Sequence, residues 1–472
     1  MKHYHVITFG CQMNDHDAEK MSGIMEQLGY AHTEKAEEAD VLLVNTCAVR
    51  ETAENKVYGL LGRLRKLKER NPGLIIGVGG CMTQVEETAR RIKSRFPHVN
   101  LVFGTGSLHQ LPELISRAAG RKETIIDIPR PAGIHEGIPA KRESGLKAWV
   151  PVIYGCDNYC TYCIVPYVRG RERSRTPGDI LREIEELAGQ GYKEVTLLGQ
   201  NVNSYGKDLG GNYGFGDLLK DVDRIAGISR IRFMTSHPRD FTDGLIEAIK
   251  GAGKVCEHFH IPLQAGSNKI LKAMNRGYDR EYYLDLIGKI RRQIPGAAIT
   301  TDIMVGFPGE TGEDFLDTMD VVEKVRYDAA FTFIYNKRKG TPAERMSGQV
   351  PEEEKVRRIE DLIKRQNEIT LEKNIEEAGK VHQVLVEGVS KTNPAMVSGR
   401  TRTNKLVFLP GREEDAGKTV YVKILGGTLT FLQGEELNNK ICPCVDKNTE
   451  VRDVYFAKGE GTGRGDCHIN RA

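Results

Sequence analysis

The amino-acid sequence predicts an α/β protein in three parts: an N-terminal Rossmann-like parallel-sheet domain, a central partial (β/α)6 barrel and a small C-terminal β-barrel. Three observations carry this. Apolar, β-rich runs alternate with helix-length charged stretches over most of the 472 residues. The alternation is interrupted by a stretch rich in proline and glycine at 129–147. After one long charged helical stretch the pattern changes to short β runs with turn residues between them.

The first series occupies residues 1–128. "YHVITF" is β-rich, and "DAEKMSGIMEQLG" has helical spacing and ends at Gly29, a natural C′ residue. "DVLLVN" is followed by the helix-like "RETAENKVYGLLGRLRKLKER", which Asn71, Pro72 and Gly73 stop. "LIIGVGG", "VEETARRIKSRF", "NLVFG" and "LHQLPELISRAAG" repeat the pattern. Residues 129–147 read as a linker. The second series, 148–377, holds six strand-like runs: "WVPVIYG", "EVTLLGQ", "RIRFMTS", "HFHIPLQ", "ITTDIMVGF" and "DAAFTFIY". It closes with one long charged helix at 351–377. Residues 378–440 form the β-barrel, and the polar, Gly-rich 441–472 reads as a disordered tail.

A content of 39% hydrophobic and 28% charged residues describes a globular protein, and no run of 18 apolar residues is present. The N-terminus turns polar too soon for a secretory signal, so the expected compartment is the cytoplasm. There, ten cysteines point to metal or catalysis rather than disulfides. A net charge of only +3 gives no argument for a nucleic-acid partner, which would need local basic patches.

The chemistry is concentrated in cysteines. Cys156, Cys160 and Cys163 are spaced C-x3-C-x2-C directly after a strand. Structural zinc wants four ligands, and no fourth follows nearby; Cys256 precedes another strand. A [4Fe–4S] cluster on three thiolates, with one iron left open, fits the spacing better. Tyr159 and Tyr162 between these cysteines would shield such a cluster from water. A second set is Cys11, Cys47 and Cys81, each just after an apolar run. Strands of a parallel sheet end on one edge, so these three thiols can meet there.

These stretches resemble the methylthiotransferase family of radical S-adenosylmethionine (SAM) enzymes. "TFGCQMND", "VNTCAVRE" and "GGCMTQ" are similar to its N-terminal domain. "CDNYCTYCIVPYVRGRERSR", "MTSHPRDF", "PLQAGSNKIL" and "GFPGETGEDF" are similar to its radical-SAM domain, and "SGRTRTNKLVFLPG" to its RNA-binding TRAM domain. The match runs in order over about residues 1–440 and is nearest the isopentenyl-specific branch. The resemblance implies two [4Fe–4S] clusters, one on Cys156, Cys160 and Cys163, the other on Cys11, Cys47 and Cys81. It implies SAM on the open iron of the first and its reductive cleavage to a 5′-deoxyadenosyl radical. It further implies a monomer that acts on a tRNA anticodon stem-loop, adds methylthio at C2 of N6-isopentenyladenosine at position 37, and draws electrons from a donor such as flavodoxin or ferredoxin. Other readings are a sibling acting on threonylcarbamoyladenosine or a ribosomal-protein aspartate, and a non-catalytic iron–sulfur RNA-binding protein. Two stretches depart from the family: "YNKRKGTPA" is more basic than usual, and the tail with Cys442, Cys444, Cys467 and His468 lies outside the pattern.

Polar residues after the strand-like runs are candidates for holding SAM: Gln200, Asn201, Asn203, Ser236, His237, Gln264, Ser267 and Asp302. His258 and His260 read as core histidines. The run Arg169, Arg171, Arg173 and Arg175 follows the first triad and is expected at the mouth of the site, on RNA phosphate; Arg400, Arg402 and Lys405 are expected to grip tRNA from the β-barrel.

Overall fold

A computed structural model describes residues 1–48, 51–142 and 145–437. The N-terminal part alternates β1 (His3–Thr8), α1 (Gln12–Gln27), β2 (Ala31–His32), β3 (Val41–Thr46), α2 (Glu51–Arg70), β4 (Ile75–Gly80), α3 (Glu86–Arg95), β5 (Leu101–Phe103), α4 (Leu111–Ala118) and β6 (Ile125–Asp127). The strands form one parallel sheet in the order β2-β1-β3-β4-β5-β6. Every residue of β3 and β4 is buried, as a sheet covered on both faces requires. One face packs on Met21, Ile24 and Leu114 of α1 and α4, the other on Leu61, Leu64 and Ile92 of α2 and α3. The strand order reverses between β1 and β3, the position where open α/β sheets form a crevice.

The central part contains β7 (Lys147–Pro151), β8 (Ile153–Tyr154), α5 (Val165–Arg169), β9 (Arg173–Ser174), α6 (Pro177–Gly189), β10 (Glu194–Leu198), α7 (Phe215–Arg224), β11 (Arg230–Phe233), α8 (Asp243–Gly251), β12 (His258–His260), α9 (Asn268–Ala273), α10 (Arg280–Gln293), β13 (Ala298–Val305), α11 (Gly312–Val325), β14 (Ala329–Ile334) and α12 (Glu352–Ile375). Two parallel sheets, β7-β10-β11 and β12-β13-β14, join through a bridge between Ile231 and Val255. The six expected barrel strands are thus present and surround one apolar core. Thr176 caps α6 by accepting from Asp179 N, with Pro177 at the first helical position.

Among its described residues the stretch after β6 has no helix or strand, yet it is bonded to both neighbouring units. Arg142 ion-pairs with Glu19 of α1 and Glu183 of α6 and donates to the carbonyl of Trp149 at 2.8 Å. Glu136 pairs with Arg175 at 2.8 Å.

The C-terminal part is a closed five-stranded barrel of β15 (Val381–Val389), β16 (Met396–Thr401), β17 (Leu406–Pro410), β18 (Thr419–Gly427) and β19 (Leu432–Glu436). Val384, Val397, Val407, Leu409 and Ile424 fill it. It docks on the central barrel where strands begin. Arg230 and Arg232 of β11 donate to the carbonyls of Arg400 (2.6 Å), Gln383 (3.0 Å), Arg402 (2.9 Å) and Thr401 (2.8 Å). The end of the barrel where its strands finish is left to the cysteines. Cys442, Cys444, Cys467 and His468 lie outside the described residues. Among the described residues no helix is long and apolar enough to cross a membrane.

Candidate active site

Cys11 follows β1 and serves as N-cap of α1; Cys47 and Cys81 follow β3 and β4. Cys11 and Cys47 therefore flank the point of strand-order reversal. Asn14 ties the crevice together, donating to Thr46 O at 2.8 Å and to Asn45 Oδ1 at 3.2 Å. The Cys47 thiol hydrogen-bonds Cys11; against the effect of burial, this bond, the charge of Arg169 and the Asn14 and Met13 backbone N–H groups lower the Cys11 thiol to about 6. Burial raises Cys81, although Arg169 Nε donates to its Sγ at 3.0 Å. Arg169 comes from α5, directly after the other triad, and its Nη2 pairs with Asp17 at 2.7 Å.

The second triad sits on the loop between β8 and α5. Tyr159 turns this loop in the left-handed region, at φ 47°, unusual for a residue with a side chain. Asn158 Nδ2 lies 3.5 Å from Cys156 Sγ, and Arg276 Nη1 donates to Cys160 Sγ at 3.2 Å. Burial foremost, with the charge of Cys160, pushes Cys156 up to about 11 and Cys163 to about 12. Three bare thiolates so close oppose one another's ionisation. A cationic iron centre removes that opposition, and N–H donors on the sulfurs suit a cluster that carries negative charge. The donor sets of both triads fit a [4Fe–4S] cluster with one open iron.

Beside the second triad, buried polar atoms stand without partners: Asn201 Oδ1, both amide atoms of Asn203, Ser236 Oγ and His237 Nε2. All follow β10 or β11, at the strand ends facing the cysteines. Such atoms are costly unless a polar ligand meets them, and SAM offers ribose hydroxyls, an ammonium and a carboxylate. Thr235 and Gln264 take φ of 65° and 68° at the same edge, a strain that clusters at ligand sites. The residues fit SAM.

Several expectations need correction. Gln200 accepts the Gly155 backbone N–H, so it holds the cysteine loop rather than standing free for SAM. Asp302 Oδ1 faces His260 Nε2 at 3.5 Å. Ser267 donates to Asp314 at 2.6 Å. Tyr159 is 41% exposed and so a poor shield, whereas Tyr162 is partly buried. Arg169 and Arg175 are buried and ion-paired, the latter to Glu136 and Glu183, so neither can reach RNA phosphate. Arg173 is occupied by the carbonyls of Pro131, Arg171 and Arg169. Arg171 alone in the run is open, with its side chain 74% exposed beside Asp157. Arg402 and Lys405 bind the central barrel, through Glu257 and through Asp328 and Asn374, and Arg400 is half-exposed beside Glu387. For Arg169, Arg175, Arg402 and Lys405 a carboxylate distant in sequence neutralises the charge. His258 and His260 are buried and share Thr300 Oγ1, as expected of core histidines.

Three family models match the chain: the Radical SAM superfamily at residues 150–322, an uncharacterized protein family, UPF0004, at 3–104, and the TRAM domain at 376–437. The tRNA-2-methylthio-N6-dimethylallyladenosine synthase of Carboxydothermus hydrogenoformans is 58% identical over 92% of this chain and 99% of its own. This chain belongs to that synthase family. The proteins of the same name from Desulforamulus reducens and Pelotomaculum thermopropionicum are 58% and 56% identical, over 93% and 92% of this chain and 96% and 97% of theirs. As a member of the synthase family the chain is a radical SAM enzyme with a TRAM domain, and the α/β fold class expected above is the observed one. Among solved structures, the radical SAM methyltransferase TsrM of Kitasatospora setae shares the fold at a TM-score of 0.53 and 14% identity, covering 73% of this chain and 75% of TsrM. OxsB, a cobalamin-dependent radical SAM enzyme, gives 0.51 at 12% identity, over 79% of this chain and 62% of its own.

Sequence reasoning missed Arg276, Asp17 and the use made of Arg169. Arg276 lies 116 residues from the cysteine it touches, and no spacing signals that contact. Asn14 was within reach, since it stands in the motif with Cys11.

Proposed function

We propose that this enzyme adds a methylthio group to C2 of N6-isopentenyladenosine at position 37 of tRNA, with one [4Fe–4S] cluster in each cysteine triad. The observation that carries the reading is the pair of cysteine triads, one at the ends of β1, β3 and β4 and the other after β8, with Arg169 of α5, just beyond the second, donating to Cys81 of the first. A pocket of three ligands leaves one iron for something other than protein, and one chain has two of them. C2–H is an aromatic bond of no useful acidity, so a general base cannot open it. When bound, the clusters and SAM supply the radical, the sulfur and the methyl group. The chain does the rest. Cys11, Cys47, Cys81, Cys156, Cys160 and Cys163 are the ligands. Asn201, Asn203, Ser236 and His237 offer their unpartnered atoms to SAM. Burial of these groups keeps water from the reacting centre.

The relatives' names specify the substrate proposed here, and the TRAM domain supports RNA as its carrier. At the mouth, Tyr159 and Tyr167 are exposed, with ring centroids 6.0 Å apart, beside Arg171. Such rings suit a base drawn from an anticodon-loop stack. The reductant is a one-electron carrier of the flavodoxin or ferredoxin kind. Purified enzyme is to be assayed on anticodon stem-loops carrying isopentenyladenosine, threonylcarbamoyladenosine or plain adenosine. Product on the first alone is expected. Turnover only on the threonylcarbamoyl substrate would move the chain to the sibling activity.

A further inference from the structure

We infer that two buried arginines set the cluster sites apart electrostatically, so that an incoming electron goes to the site of Cys156, Cys160 and Cys163 rather than to that of Cys11, Cys47 and Cys81. The inference rests on the two-cluster reading above. Each site has one buried guanidinium donating to one cysteine sulfur: Arg169 to Cys81 at 3.0 Å and Arg276 to Cys160 at 3.2 Å. What differs is the counter-charge. Arg169 is held by Asp17 at 2.7 Å, itself buried, so the pair presents little net charge to Cys81. Arg276 has no carboxylate partner among the described residues. Its other contacts are neutral: Tyr278 Oη at 3.0 Å, Tyr162 Oη at 3.4 Å and the Pro262 carbonyl at 3.3 Å.

A buried cation without a partner is expensive. Its compensation is an anion that arrives later, and the neighbouring sulfur shows where. A [4Fe–4S] cluster on three thiolates is anionic and becomes more so when it accepts one electron. A fixed positive charge against its sulfur therefore favours the reduced form, and a neutralised one favours it less. Near this triad Asp157 is paired with Arg171, and a second carboxylate there is Glu172. It lies toward Cys156 and opposes the effect of Arg276 without pairing with it. Arg276 is thus a positioning and tuning residue.

The test is a redox titration, followed by electron paramagnetic resonance, of the full-length chain reconstituted with iron and sulfide. SAM is added to mark which signal belongs to the second triad, since only that signal should change. In the unaltered protein this cluster should have the higher midpoint. Arg276→Met should shift its reduction equilibrium at least tenfold toward the oxidised form, which is about 59 mV for one electron. Arg276→Lys should recover most of the shift, and Glu172→Gln should move the midpoint the other way. Asp17→Asn should bring the other cluster about tenfold toward reduction by uncovering Arg169. Iron content separates a tuning effect from failure to load. An unchanged midpoint in fully loaded Arg276→Met, or the reverse order of midpoints in the unaltered protein, overturns the inference. Saturation at about four irons per chain with a single signal would instead remove the two-cluster reading beneath it.

Discussion

Arg402 of the TRAM barrel clasps Glu257 of the central barrel with two hydrogen bonds, 2.8 Å from Nε and 2.7 Å from Nη2. The same Nη2 donates to the carbonyl of Val255 at 2.6 Å. An arginine that looked like a handle for RNA is a bolt between domains.

Arg402→Ala should therefore cost stability rather than charge. Losing a bidentate charged bond and its carbonyl contact should cost about 2 kcal/mol and leave the TRAM barrel easier to cut by limited proteolysis. The slope of tRNA affinity against salt should hardly move. Binding assays at several salt concentrations check this; a clearly flatter slope would return Arg402 to phosphate.

Gly80 and Gly155 each stand immediately before a cysteine, one at either site. Gly80 has φ 107°, and a Cβ there would lie 2.4 Å from Thr46 O; Gly155 has φ 79°, with Arg171 O at 2.0 Å. Neither carbonyl can yield without moving β3 or the turn between α5 and β9. Gly80→Ala and Gly155→Ala should each lower iron content from about eight to about four per chain, at different sites. Reductive SAM cleavage should survive the first and be lost in the second.

Replacing Cys156, Cys160 or Cys163 by Ala should abolish 5′-deoxyadenosine formation. Replacing Cys11, Cys47 or Cys81 should leave it and stop methylthiolation. Chromatographic analysis of both products in one reaction separates the two outcomes. Methylthio product from an N-terminal variant would deny that triad its part in sulfur transfer.

Asp314 joins the segments "PLQAGSNKIL" and "GFPGETGEDF". It accepts from Ser267 Oγ at 2.6 Å and from Thr311 N and Oγ1 at 2.8 Å each, and it pairs with Lys269. Burial alone would raise its carboxyl, but Lys269, Ser267 and Thr311 outweigh it and hold the group at about 2. The folded value lies below the unfolded one, roughly 3.9. The stabilisation is therefore complete above about pH 4 and is lost as pH falls through about 2. Asp314→Asn should remove on the order of 2 kcal/mol at neutral pH and flatten the acid limb of a denaturation curve between these values. An acid limb that keeps its shape would place the titrating group elsewhere.

Much of the fold was legible because strand edges and cysteines coincide along the chain. Cys11, Cys47 and Cys81 each follow an apolar run, and a parallel sheet leaves such residues on one edge. The six barrel strands were readable for the same reason. Charge was read less well. Arg175 and Arg402 look alike in sequence, as basic residues in basic runs, and their burial depends on Glu136, Glu183 and Glu257, which no local pattern links to them. The contact of Arg276 with Cys160 is of the same kind. β2, two residues long, was too short to stand out from its surroundings.

The bond from Arg169 to Cys81 has a consequence for biosynthesis. A chain made from its N-terminus has produced Cys11, Cys47 and Cys81 long before Arg169 emerges. The first domain to be translated is then the last to have its metal pocket finished, for it waits on a helix of its neighbour to close over the third cysteine. On the proposed reading, an N-terminal domain cut off before Arg169 lacks the donor that meets Cys81, and it should load less iron than the same triad does in the whole chain.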